Sequence, residues 1–261
     1  MTEKRHFRLC LLSFVIQPAY KLLLLDVSIF YLWFHLPVKL LYICLNNQQM
    51  RIKICGITKP EQAYSILGMG ICTLGFICVP SSPRFVEPSV INKILDNLPR
   101  EKSYVGVFAD SSLKTIIETV EYGKLNAVQL HGQEDPQFCL ELKDQLPLLE
   151  IIKVFRIKDR HILDTLKTYY ECVDTLLLDA YHPQLLGGSG QTINWCELQN
   201  FAPPLPWLLA GGLTPKNVTK ALTQLNPNGI DLSSGVENSP GDKNIEKIKE
   251  LLENLTQFSS F

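Results

Sequence analysis

Two residues far apart in the chain have the types that an acid–base pair needs. Cys55 ends the run RIKIC and precedes Gly56, and Asp179 ends the apolar run that opens LLLDAYHPQLLGGSG. A thiol has an ordinary pKa near ~8.5, so a modest downward shift yields a thiolate able to act as base or nucleophile. A carboxyl group held out of water is favoured in its protonated form, which suits a general acid. Gly187, Gly188 and Gly190 then provide a loop able to close over a ligand. An acid and a base across one pocket shuttle protons, as an isomerisation requires.

Other residues have the chemistry of recognition. Arg84 in SSPRFV can fork onto a substrate carboxylate or make a surface ion pair. His131 in VQLHG can donate to a substrate, orient a neighbour, or make a structural hydrogen bond. Arg156 and Asp110 are weaker candidates. AGGL contributes Gly211 and Gly212, and DLSSGVE contributes Ser233, Ser234 and Gly235. Side-chain-poor loops of this kind expose backbone N–H groups, and the helix N-termini that follow add positive dipole ends, so a phosphate dianion fits there.

These residues need a scaffold that gathers them. From Met50 onward, short β-branched or apolar runs alternate with longer helical patterns: RIKIC, TLGFICV, YVGVFA, AVQLH, LEIIKVFRI, TLLLDA, PWLLAGG and GIDLSS are the eight strand candidates. Thr58 with Pro60, Asp110, and Thr214 with Pro215 are helix start signals between them, and KNIEKIKELLENL is an amphipathic last helix. Eight strand-plus-helix units predict an α/β fold, a single (β/α)8 barrel over residues 50–261, with chemistry at the C-terminal strand ends. Every residue singled out above falls at such an end or in the loop after it. No Pro/Gly/Ser-rich or highly charged linker divides the units.

The composition excludes several alternatives. With 25 Lys+Arg against 26 Asp+Glu there is no basic field to attract nucleic acid. The eight cysteines form no CxxC pair or histidine pattern, so they predict neither a zinc site nor a disulfide framework. They read as mostly buried free thiols in a reducing cytoplasm. All 15 glycines lie from Gly56 onward. Residues 1–49 form a hydrophobic N-terminal extension, interrupted by Lys21, Asp26 and Lys39 before any run reaches the ~20 apolar residues of a membrane span. It reads as translated upstream sequence ahead of a start at Met50, or as a peripheral membrane helix; a membrane partner is not expected.

In order, KICGIT, GFICVPSSPRFV, VGVF, VQLHG, KVFR, LLLDAYHPQLLGGSGQTINW, LLAGGL and GIDLSSGVE closely resemble the phosphoribosylanthranilate isomerase family, over residues 50–255. The resemblance implies an Amadori rearrangement of N-(5-phosphoribosyl)anthranilate to 1-(2-carboxyphenylamino)-1-deoxyribulose 5-phosphate, the third step of tryptophan biosynthesis from chorismate. It implies no metal or organic cofactor, and a small phosphosugar as the ligand of a monomer or homodimer. On this resemblance Asp179 matches the general acid and Cys55 the general base. Arg84 matches the residue that meets the anthranilate carboxylate, His131 lines the same pocket, and Gly212 and Ser234 with their neighbours match the phosphate loops. Gly188 falls in the loop after the acid. Cys78 and Ala109-Asp110 depart from the pattern without touching the acid–base pair. A related synthase would want a lysine at a strand end, and a metal-dependent epimerase would want histidine and aspartate ligands; neither constellation is evident.

Overall fold

The computed structural model describes residues 50–158, 162–180 and 194–259. The expectations for residues 1–49 and for the glycines of 187–190 lie outside the described residues. Met50–Phe261 makes one compact unit.

Eight parallel strands close into a barrel: β1 (Arg51–Cys55), β2 (Thr73–Ile77), β3 (Ser103–Phe108), β4 (Ala127–Leu130), β5 (Glu150–Ile157), β6 (Thr175–Ala180), β7 (Trp207–Leu209) and β8 (Gly229–Leu232). Closure is made by β1 pairing with β8, from Arg51↔Gly229 to Ile54↔Leu232. All eight expected strands are present. Strands two and seven stop earlier than expected, because Cys78 and Gly211 already belong to the rim loops. The helices are α1 (Pro60–Gly68), α2 (Pro88–Leu95), α3 (Leu113–Gly123), α4 (Pro136–Gln145), α5 (Ile162–Thr165), α6 (Val218–Leu222) and α7 (Ile245–Ser259). A small antiparallel hairpin, β9 (Glu237–Ser239) with β10 (Asp242–Lys243), follows β8 and was not expected.

Local chemistry explains most boundaries. Pro60, Pro88 and Pro136 sit in the first turns of their helices, where a missing N–H costs nothing. Asp135 and Ser112 cap α4 and α3 by accepting from Phe138 N at 2.8 Å and Thr115 N at 3.1 Å. Asp110, expected to open α3, does not. It has φ 52°, and its Oδ1 accepts from Gln133 N at 2.6 Å, so its side chain ties the β3 loop to the β4 loop.

Side chains of one strand parity fill the barrel and the other parity packs under the helices. Val105, Ala127, Ile152, Val154, Leu177, Leu208 and Ala210 form the apolar interior. The larger cluster, including Ile54, Leu74, Phe76, Phe108, Leu130 and Ile230, cements the helices to the outside. Below the apolar interior, Arg51 grips Glu150 at 2.5 and 2.9 Å and donates to Thr73 and Ser103. The interior also buries charge. Lys53 pairs with Asp231 at 3.0 Å, and Lys153 pairs with Glu134 at 2.7 Å while donating to the Gly132 carbonyl at 2.9 Å.

Candidate active site

A cavity of about 490 Å³ opens at the C-terminal end of the barrel. Cys55 from β1 and Asp179 from β6 both line it, with His131 beyond β4 and Arg84 in the loop after β2. Gly211, Gly212, Ser233, Ser234 and Gly235 form its far wall. The structure thus gathers Cys55, Asp179, Arg84, His131 and the five described loop residues that the sequence nominated for the site. Gly188 lies outside the described residues. Asp110 and Arg156 are not part of the lining.

Asp179 is 8% exposed, and its Oδ1 accepts from the Ala180 N–H at 2.8 Å. Its Oδ2 lies 3.5 Å from His131 Nε2, which makes no hydrogen bond in this structure. The other imidazole nitrogen, Nδ1, lies 3.3 Å from Gln129 Nε2. If the amide donates there, the ring proton sits on Nε2 and faces Asp179 and the cavity. Gln129 was missed in the sequence. Its place two residues before His131, on the same face of β4, was the available signal.

The surroundings of Cys55 act on its ionisation in opposing senses. Burial pushes its thiol up from the ordinary value and the Asp231 carboxylate adds to that, while the Lys53 and Lys243 ammonium groups pull the other way without prevailing. Free thiolate would need a downward shift, and the opposite sense arises because the barrel withdraws this side chain almost completely from water. Cys78, a neighbouring thiol after β2, is pushed up to about 12 by burial. Of the six cysteines described, all are free; Cys55, Cys139 and Cys172 are buried, Cys78 is partly so, and Cys72 and Cys196 are exposed.

Arg84 is not a surface residue. Its Nε lies 3.0 Å from Glu237 Oε1 and its Nη2 2.7 Å from Oε2. Glu237 Oε1 also accepts from Lys243 Nζ at 2.6 Å, and that ammonium donates to the Cys55 carbonyl as well. Burial would raise the Glu237 carboxyl, yet hydrogen bonds from Arg84 and the charge of Lys243 hold it below its ordinary range. Burial lowers Lys243 in spite of that partner.

The wall formed by Gly211, Gly212 and Ser233–Gly235 is built largely from backbone. Gly211 and Gly212 adopt φ 84° and 59°, a region costly to residues with a Cβ, so the chain turns there close to β6. Asn217 braces this loop, accepting from Thr214 N at 2.8 Å and donating to the Gly212 carbonyl at 2.9 Å. Ser234 and Gly235 open a 3-10 turn (Ser234–Val236), whose first N–H groups have no partner within the turn. A Cβ on Gly235 would overlap the Leu213 carbonyl, which pins the two loops against each other. The helix dipoles expected behind the loops contribute less than supposed, since α6 has only five residues.

A family model for N-(5'-phosphoribosyl)anthranilate isomerase matches residues 52–254. The chain belongs to the N-(5'-phosphoribosyl)anthranilate isomerase family. The family member of Rippkaea orientalis is 56% identical over 211 residues, covering 81% of this chain and 98% of that protein. The crystal structure of phosphoribosyl anthranilate isomerase from Thermotoga maritima superposes with a TM-score of 0.73 at 32% identity, over 80% of this chain and all of that one. A further solved phosphoribosyl anthranilate isomerase, in complex with reduced 1-(o-carboxyphenylamino)-1-deoxyribulose 5-phosphate, has a TM-score of 0.71 at 30% identity and the same coverage of this chain. Among the described residues of this isomerase, no helix is long and apolar enough to cross a membrane. The buried charges Lys53, Asp231, Glu237 and Lys243 close to its cavity were not foreseen, and neither lysine stands at the end of a barrel strand.

Proposed function

We propose that this isomerase carries out the Amadori rearrangement of N-(5'-phosphoribosyl)anthranilate with Asp179 as general acid and Cys55 as general base. Asp179 in its protonated form delivers its proton to the ribose ring oxygen. The C1–O bond breaks, and the sugar opens to a Schiff base. The electron-poor C=N⁺ acidifies the neighbouring C2–H, and the Cys55 thiolate removes that proton. The enolamine that forms gains a proton at C1 and loses one from the C2 hydroxyl, giving the ketone. One proton has left Asp179 and one has arrived on Cys55, so a single net transfer restores the pair.

Recognition divides between the two sides of the cavity. Backbone N–H groups of the Gly211-Gly212 and Ser233–Gly235 loops hold the phosphate dianion. Arg84, pre-oriented by Glu237, turns Nη1 toward the anthranilate carboxylate. His131 donates from Nε2 toward the reacting sugar. No cofactor enters these steps. The enzyme works in the cytoplasm, as a monomer or homodimer, a reading supported by its free thiols and by a formal net charge of -1 that gives nucleic acid no foothold.

The observation that carries this reading is the meeting of Cys55, Asp179 and both glycine-containing loops in one cavity. Turnover of N-(5'-phosphoribosyl)anthranilate by the purified protein, followed by the loss of anthranilate fluorescence, tests it. Binding of a phosphorylated ligand without turnover would instead favour a binding protein.

A further inference from the structure

Lys53 is a fully buried ammonium inside the barrel for which the steps above have no use. It stands two residues before Cys55 on β1, so the two side chains leave the same face of the strand and point into the barrel together. Gly75, the β-sheet neighbour of Cys55 on β2, has no side chain to separate them. A Cβ there would lie 2.8 Å from Cys55 Sγ and 3.1 Å from Lys53 Nζ, so both atoms share the hollow above this glycine. Asp231 on β8 holds the ammonium from the other side at 3.0 Å. An isolated ammonium would be strongly disfavoured at such a depth, and its retention needs a counter-charge.

We propose that Lys53 is a positioning residue for the rearrangement: locked by Asp231, its ammonium fixes the Cys55 thiol and stabilises the thiolate that takes the C2 proton. The lysine keeps its own proton throughout and touches no reacting atom. Its work is to offset, at Sγ, the cost of placing a negative charge in the dry barrel. The proposal rests on the reading of Cys55 as the base. The charges facing Cys55 are Lys53 on its own strand, Asp231 on β8 and Lys243 on β10, with Cys78 after β2 as a neighbouring thiol. Lys53 and Lys243 favour the thiolate, and Asp231 opposes it. Burial would lower the Lys53 ammonium, but Asp231 and Cys55 together hold it above its ordinary value, so it remains charged wherever the enzyme works.

These signs give a test that a merely structural role fails. The rate of Cys55 alkylation by iodoacetamide is followed against pH in the full-length protein, read by mass spectrometry on the peptide that carries Cys55. In Lys53→Met the midpoint moves up by about one pH unit or more, and in Asp231→Asn it moves down. Loss of packing would move both in the same direction. In parallel, Lys53→Met lowers kcat by at least about 10-fold at neutral pH, with KM changed less than about 3-fold and part of the loss recovered in alkali. If Lys53→Met does not fold, Lys53→Met/Asp231→Leu, which leaves no unpaired charge, is compared with Asp231→Asn, and its midpoint lies higher because only the lysine's contribution differs in charge between them. An unmoved midpoint, or shifts of one sign in both single variants, overturns the proposal. Because alkylation needs no turnover, that result is independent of whether Cys55 is the base, which Cys55→Ser decides separately.

Discussion

Arg84 and Glu237 form a two-point ion pair across the cavity wall, Nε at 3.0 Å from Oε1 and Nη2 at 2.7 Å from Oε2, although 153 residues separate them. The same carboxylate holds Lys243 at 2.6 Å. One buried anion therefore fixes both an arginine that lines the cavity and the lysine beneath the Cys55 carbonyl. Removing it leaves two cations without a counter-charge.

Glu237→Ala should cost about 3–5 kcal/mol, the range for breaking one partner out of a buried pair. Urea denaturation of the two proteins measures this directly. A loss within the scatter of surface substitutions would show that the cluster contributes no net stability.

The same residue sets an acid limit. The folded state holds Glu237 below its ordinary value of 4.5, so the unfolded chain takes up the proton first. Its contribution is complete above that value and fades as pH falls through the folded pKa. The stability gap between wild type and Glu237→Gln should accordingly narrow below pH 4.5. A gap that stays constant as the solution is acidified through that window would contradict the assignment.

Arg84→Met should raise KM for N-(5'-phosphoribosyl)anthranilate by about 10- to 100-fold with a smaller change in kcat, since the lost contact serves ground state and transition state alike. The aniline analogue, which lacks the carboxylate, should be turned over equally by variant and wild type. Equal losses on both substrates would mean that Arg84 acts through the fold.

Gly235→Ala places a methyl group against the Leu213 carbonyl and so separates the two loops. Inhibition by inorganic phosphate should weaken by about 10-fold, with KM rising in step. Unchanged phosphate inhibition would move the anion site elsewhere in the cavity.

How far the sequence reaches can be judged from particular residues. The eight strands were legible because runs such as TLLLDA and YVGVFA are both β-favouring and bounded by turn residues, and the site followed from where such strands end. Asp110 misled because an aspartate before a helical pattern resembles a cap, while the φ of 52° that commits its side chain to the β4 loop has no local signature. Lys53 and Asp231 are 178 residues apart and meet only when β1 closes on β8. Half of that pair was visible: in RIKIC the period of two puts Lys53 and Cys55 on one face. The hairpin of β9 and β10 also had a signal, the Pro240-Gly241 turn, but its function as a carrier of Glu237 and Lys243 depends on contacts that no local pattern encodes.

The division of labour between Cys55 and Asp179 is decided by kcat for Cys55→Ser and Asp179→Asn on N-(5'-phosphoribosyl)anthranilate, with circular dichroism to establish that each remains folded. Each variant should lose at least about 10²-fold in kcat with its fold intact. A near-normal rate in either one would contradict the role given to that residue.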